Sequence, residues 1–289
     1  MKFGVREICD VVFKAKSKVT IGGIEFPKGA PVLYIDSAKT STIEGAATTV
    51  YATGGKGNTR LIAWEGEKTL TFTVEDALLS PMGFAILSGA GLLKGTEEEA
   101  VHVHTTAQAY ATEEGIELKD ALDTDETICA DAPIFVVPTD EDGSLLGTPV
   151  VGEAAGTKVT ATGVTGNCFV DFYVTKTSAK VSELQIDAEN FAGYYYVEAS
   201  TLFRRQHDGV DLPAEITFPN VKIQSNFTFS MASSGDPSTF TFTMDALPGY
   251  THFNPTKKVL CAIQIVEDGA VKAAGAAESV FPCEHTEGN

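Results

Sequence analysis

The chain has 289 residues and a formal net charge of −18 at pH 7, from 21 Lys and Arg against 39 Asp and Glu. So acidic a surface repels DNA and RNA duplexes, whose binders cluster Lys and Arg, and it does not suit docking on an anionic membrane. With 43% hydrophobic and 21% charged residues, the composition excludes a disordered polymer and allows one large β domain or two smaller ones.

The opening residues, MKFGVREICD, lack the apolar stretch of a signal peptide, and no apolar run reaches the length of a bilayer span. Residues 1–60 hold nine Lys and Arg against five acids, whereas residues 61–155 hold three against nineteen. A basic end beside an acidic middle suits head-to-tail self-association; solvated acidic loops give the same counts. VLYIDSA (32–38), ATTVYAT (47–53) and TRLIAWEG (59–66) are rich in β-branched and aromatic residues, and each predicts a strand, with Trp64 in the core. Between them, GGKGNT (54–59) lacks the spacing and the following helix of a phosphate loop, so a β-turn is expected. KTLTFTV (68–74) then alternates Leu70, Phe72 and Val74 with Thr69, Thr71 and Thr73.

The one helix candidate is VEDALLSPMGFAILSGAGLL (74–93). Glu75 and Asp76 fall in its first turn, where carboxylates oppose the helix dipole favourably. Pro81 then requires a kink, or else a late start near Ser80. Gly89 and Gly91 mark its end.

Strands resume with VHVHTTAQAYA (101–111), ICADAPIFVVP (128–138), TKVTATGV (157–164) and CFVDFYVT (168–175). Segment 139–156 is turn-rich, a loop or hairpin insertion. SELQIDAEN (182–190), YYYVEASTLFRR (194–205), AEITFPNVKIQ (214–224) and KKVLCAIQIVED (257–268) complete the series. Within it, NFTFSMASSGDPSTFTFTMDA (226–246) predicts a hairpin turning at SSGDPS. Phe227, Phe229, Met231, Phe240, Phe242 and Met244 share one parity, the core face. Thr228, Ser230, Thr241 and Thr243 share the other, where an ordinary solvent face would carry Lys, Glu or Arg. The chain therefore predicts a mainly β fold, an antiparallel sandwich or barrel with one short α-helix packed on it. It reads as a single domain over 1–289, with 112–180 an inserted β subdomain or extended loop region. HTEGN, at the end, is expected to fray.

Sites for chemistry are sparse. His102 and His104 share a strand face and offer two imidazoles, but nothing claims a third ligand position, so a polar strand face is the plainer reading. Asp123, Asp125 and Glu126, like Asp140, Glu141 and Asp142, form acidic runs too short for a calcium loop. His207, His252 and His285 sit in turn-like or terminal surroundings, and no GxSxG or HExxH occurs. Cys9, Cys129, Cys168, Cys261 and Cys283 are far apart and form no CxxC, which suits apolar thiols in a reducing compartment. No cofactor, metal or catalytic residue is expected.

Two blocks carry a resemblance. TTVYATGGKGNTRLIAWEGEKTLTFTVEDALLSPMGFAILSGAGL (48–92) resembles the strand–turn–strand–helix segment of tail tube proteins from long-tailed bacteriophages, contractile-tailed ones foremost. AEITFPNVKIQSNFTFSMASSGDPSTFTFTMDAL (214–247) resembles the closing hairpin of the same family. The resemblance implies a virion protein made in the bacterial cytoplasm, assembled as stacked hexameric rings around a β-barrel channel. Its partners would be further copies and other tail proteins such as sheath, baseplate and tail terminator, with DNA only as transiting cargo. On that reading Thr69, Thr71, Thr73, Thr228, Ser230, Thr241 and Thr243 form a channel or intersubunit face, and Glu75 and Asp76 an intersubunit helix start. Another virion component, such as a capsid decoration or baseplate protein, is the alternative. So is a β-sandwich carbohydrate-binding or adhesion module, which would expose a flat row of Trp and Tyr; Tyr194, Tyr195 and Tyr196 are consecutive and split between two faces.

Overall fold

The computed structural model describes residues 2–267 apart from 124, 125, 179, 229, 232 and 235–237. Asp125, Phe229, positions 235–237 of the SSGDPS turn, residue 268 of the final expected strand, Cys283, His285 and the HTEGN end therefore lie outside the described residues. The chain is mainly β and antiparallel, with a nearly closed, barrel-like sheet and, among the described residues, one α-helix. It divides into two compact units, one of Leu92–Gln185 and one of Met1–Gly91 together with the chain from Ile186. The 112–180 stretch lies within the first of these.

The chain opens with β1 (Phe3–Val5), β2 (Asp10–Ala15), β3 (Val19–Ile21), β4 (Ile24–Phe26), β5 (Pro31–Ile35), β6 (Ala38–Gly54), β7 (Thr59–Asp76) and α1 (Pro81–Ser88). The middle holds β8 (Gly91–Lys94), β9 (Val101–Thr112), β10 (Gly115–Glu117), β11 (Thr127–Ile128), β12 (Phe135–Pro138), β13 (Val150–Val151), β14 (Glu153–Ala155), β15 (Lys158–Thr160), β16 (Gly166–Lys176) and β17 (Ser182–Gln185). The return supplies β18 (Tyr194–Arg205), β19 (Asp211–Ile223), β20 (Phe240–Ala246), β21 (Gly249–Thr251), β22 (Asn254–Val259) and β23 (Ala262–Ile265).

In the larger unit the main sheet runs β5, β2, β18, β19, β20, β7, β6, with β1 added on β18 and β23 on β19. Period-two alternation decides its faces. Val11 and Phe13, Phe72 and Val74, Phe218, Val221 and Ile223, and Phe242 and Met244 all point into one core. Phe72 stacks on Phe218 with ring centroids 4.8 Å apart, and Phe13 lies 5.9 Å from Phe242. Burial of one such side chain is worth about 1.5–3 kcal/mol.

The helix takes the late start. Ser80, at φ −92° and ψ 153°, is the N-cap, and its hydroxyl accepts from the Gly83 amide at 2.9 Å. Pro81 follows at the first helical position, where its missing N–H costs nothing. Gly89, at φ 77°, closes the helix by donating to the Ala85 carbonyl at 2.9 Å. A Cβ there would stand 2.4 Å from the Phe191 carbonyl carbon, so both conformation and space require glycine. Glu75 and Asp76 are consequently not in a first helical turn. They end β7, whose alternation runs on through Phe72, Val74 and Asp76 because β20 and β6 pair with it to that point.

Two other expectations change. The described residues of 226–231 lie in no strand, and Met231 is 85% exposed. β20 pairs with β7 from Phe240 to Asp245, and on its other side β19 takes Met244–Ala246 through Val221–Ile223, where the second arm of a hairpin would have paired. Phe227 still packs on the core, 4.9 Å from Phe84. Trp64 is 52% exposed instead of buried, because the part of β7 that carries it pairs with β6 alone.

The smaller unit is built on a sheet of order β13, β12, β16, β9, β10, β15, β14, with β11 beside β16, and on a separate β8–β17 pair. β9 and β16 pair along eleven positions, from Val101–Lys176 to Ala111–Gly166. Cys168, Val170, Phe172 and Val174 of β16 enter its core with Ile134, Val136 and Val159.

Candidate functional site

β20 brings two Thr-rich strands side by side in the larger unit. Thr241 pairs with Glu75, Thr243 with Thr73, and Asp245 with Thr71. β6 extends the same face on the far side, pairing Thr40 with Glu75, Thr42 with Thr73, Glu44 with Thr71 and Ala46 with Thr69. Lys222 of β19 pairs with Asp245. Directly opposed residues of an antiparallel pair have Cβ atoms about 4.5–5.5 Å apart, so this is one continuous surface. Thr69 and Thr241 are exposed, and Thr71, Thr73 and Thr243 are half-buried. Thr228 and Ser230 are exposed but belong to no strand of this face.

Carboxylates on the face are held by its hydroxyls and amides. Glu75 accepts from Thr239 at 2.5 Å and from Thr40 at 3.2 Å. The Thr239 hydroxyl, then that of Thr40 and the charge of Lys39, hold Glu75 below the usual glutamate range. Asp245 accepts from the Gln224 amide at 3.0 and 3.2 Å and from Thr71 at 3.4 Å. The Lys222 ammonium donates to the Ala192 carbonyl and lies 5.1 Å from the Tyr194 ring. Among these strand positions, three carboxylates, Glu44, Glu75 and Asp245, meet one ammonium. Asp76 points the other way and is buried, bonded by the Ser37 hydroxyl at 2.5 Å and the Leu78 amide at 3.3 Å. The two acids at the end of β7 thus serve opposite faces.

The second feature is the outer half of the β6–β7 hairpin. β7 pairs with β20 only from Thr71 to Asp76; from Thr59 to Leu70 its partner is β6. That length corresponds to about 40 Å of extended chain. Apolar side chains remain in solvent, with Val50 62%, Leu61 63%, Ile62 56% and Trp64 52% exposed. Val50 pairs with Trp64 and Ala52 with Ile62, a cross-strand apolar patch. At the tip, Asn58 donates to the Gly55 carbonyl at 3.2 Å, and Gly55 and Gly57 adopt φ of 76° and 86°, so GGKGNT is a turn.

The remaining candidates are placed elsewhere. His102 and His104 lie exposed on β9, and His104 Nε2 is 2.7 Å from Asp171 Oδ1. Asp140 organises its own turn, accepting from the Asp142 and Ser144 amides at 3.1 and 2.7 Å. Among the described residues no three metal-ligating side chains cluster, and Cys9, Cys129, Cys168 and Cys261 are free thiols. No helix among them is long and apolar enough to cross a membrane. Sequence reasoning missed Thr40 and Thr42, although KTSTIEG (39–45) carries the same alternation of hydroxyls. It also missed the outer hairpin's exposure.

The larger unit thus combines a barrel-like antiparallel sheet, an uncharged-to-acidic face and an apolar hairpin standing in solvent, which define a β-rich protein. The chain belongs to the YomU/Tube protein family, a family of phage tail tube proteins, whose model matches residues 5–258. It is thus a structural component of the phage virion. No curated protein matches it.

Proposed function

We propose that the chain is the repeating subunit of the tail tube, assembling as stacked hexameric rings around a channel through which DNA is ejected. The observation that carries this reading is the outer β6–β7 hairpin. A two-stranded hairpin alone is marginally stable in water, and a bare strand edge beside apolar side chains invites pairing with another chain. Val50, Ile62 and Trp64 supply those side chains. A neighbouring copy is the partner that the tube family implies, and repetition around a ring leaves no hairpin unpaired.

The Thr-rich face then lines the channel or seats the neighbour. Its hydroxyls and excess carboxylates give a passing polyanion no cluster of cations to bind, so DNA is cargo and not a specific ligand. In this reading the role is structural and not catalytic. Sheath, baseplate and terminator proteins meet the assembled tube, which forms in the host cytoplasm.

Electron microscopy of concentrated protein tests the reading. The unmodified chain is expected to give rings or tubes, and the double variant Val50→Ser with Ile62→Ser only folded monomers. A second double variant, Thr241→Phe with Thr243→Phe, is expected to narrow the channel or halt ring closure. Monomers from the unmodified chain would overturn the assembly, and an unobstructed channel in the Phe variant would overturn the role of the face.

A further inference from the structure

The smaller unit carries a distinctive surface of its own. On β9, β16 and β12 the parity opposite the core presents rings beside polar groups. Tyr110 is paired with Asn167, Gln108 with Phe169, His104 with Tyr173, and Phe135 with Asp171. Tyr110 is 66% exposed and Phe135 40%. The core needs none of these side chains, since Cys168, Val170, Phe172 and Val174 already fill it from the other face.

One end of the face is an open groove of about 350 Å³, lined by Gln108, Tyr110, Asn167, Thr139, Asp140 and Glu141. That volume is within the usual range of small-molecule sites, roughly 300–1,000 Å³. Its rim is fixed. The Thr139 amide donates to the Asn167 carbonyl at 2.9 Å, and Asp140 caps the turn above it. Gly143, at φ 82°, lies so close that a Cβ would sit 2.6 Å from Gln108 Nε2, so the turn rests on that amide. Neither the Gln108 nor the Asn167 side-chain amide has a hydrogen-bond partner among the described residues.

The geometry points to a saccharide site: the smaller unit binds a neutral glycan, with Tyr110 as its platform and Gln108 and Asn167 as its polar contacts. A pyranose has one C–H face and a rim of hydroxyls, each both donor and acceptor. An aromatic ring matches the C–H face, and a side-chain amide, carrying donor and acceptor together, matches adjacent hydroxyls. Neighbouring strands about 4.8 Å apart, and same-face residues about 6.7 Å apart along a strand, set amides and ring within one sugar's width.

Charge selects among glycans. β9, β12 and β13 carry no Lys or Arg, and the Lys176 ammonium at the end of β16 is paired with Glu126. Asp140 and Glu141 line the groove and, among the described residues, no Lys or Arg does, which disfavours phosphorylated, sialylated and uronate glycans.

The full-length protein on an array of neutral and acidic glycans tests this. Neutral glycans are expected to be retained, acidic ones not. Tyr110→Ala and Asn167→Ala should each weaken binding about tenfold, while ring or tube formation is unchanged, which separates this site from the assembly surfaces. Retention of no glycan, retention of acidic glycans alone, or unaltered binding by both variants would overturn the proposal.

Discussion

The two halves of β7 carry similar residues and live in different surroundings. From Thr71 to Asp76 the strand lies between β6 and β20, and Phe72 and Val74 are wholly buried while Thr71 and Thr73 stay half-exposed. From Thr59 to Leu70 it has β6 alone, and Leu61, Ile62 and Trp64 stand in solvent on a ladder of the same kind. The number of neighbouring strands differs between the two halves. A strand becomes two-faced only where something covers one face. The inner half is therefore held by its own subunit, and the outer half is, in the proposed assembly, the part left for another chain.

The largest effect should come from exchanging one aromatic in each half. Phe72→Ala removes a fully buried ring stacked on Phe218 and is expected to cost about 3–5 kcal/mol in denaturant unfolding. Trp64→Ala should leave unfolding of the dissociated subunit within about 0.5 kcal/mol and abolish assembly. If both substitutions destabilise the monomer alike, the outer half is not independent and the contrast is broken.

A smaller effect sharpens the boundary. Gly66 lies in the outer half, where a Cβ would meet the Thr48 hydroxyl at 2.4 Å, and that hydroxyl accepts from the Glu67 amide at 2.9 Å. Gly66→Ala should therefore shift the local ladder. Its melting transition should stay close to that of the unmodified subunit, while the concentration needed for assembly rises. A fall in stability approaching that of Phe72→Ala would show the hairpin coupled to the core.

What sequence can reveal follows the same line. The alternation of KTLTFTV and TFTM identifies the core face correctly, because the two strands pair with each other over Thr71–Val74 and the core covers Phe72, Val74, Phe242 and Met244. TRLIAWEG carries an unbroken apolar run, Leu61–Trp64, that reads as a strand buried on both faces, and nothing in it encodes how many strands will pair with it, so Trp64 is misread as core. Glu75 and Asp76 suit a helix start by charge alone, but pairing to β20 extends the strand past them, and Ser80 with Pro81 holds the actual start. The rings of Tyr110, Phe135, Phe169 and Tyr173 meet on one face from three strands spread over 64 positions or so of chain, a juxtaposition that no local pattern displays.

The smallest effect concerns Glu75, which sits where the buried half of β7 ends and belongs to the hydroxyl face. The hydroxyls of Thr239 and Thr40 favour its charged form and lower its pKa from an ordinary value of 4.5. A carboxylate whose folded pKa is depressed stabilises the fold fully above the unfolded value, and that contribution fades as pH falls through the folded value. Glu75→Gln should therefore be less stable than the unmodified subunit near neutral pH, and the gap should close as pH falls below 4.5. Denaturant unfolding of the dissociated subunits from pH 7 downward checks this. A Glu75→Gln gap constant with pH would mean that the two threonines do not hold the charge, and that the inner half's hydroxyl face is no more organised than the hairpin beyond it.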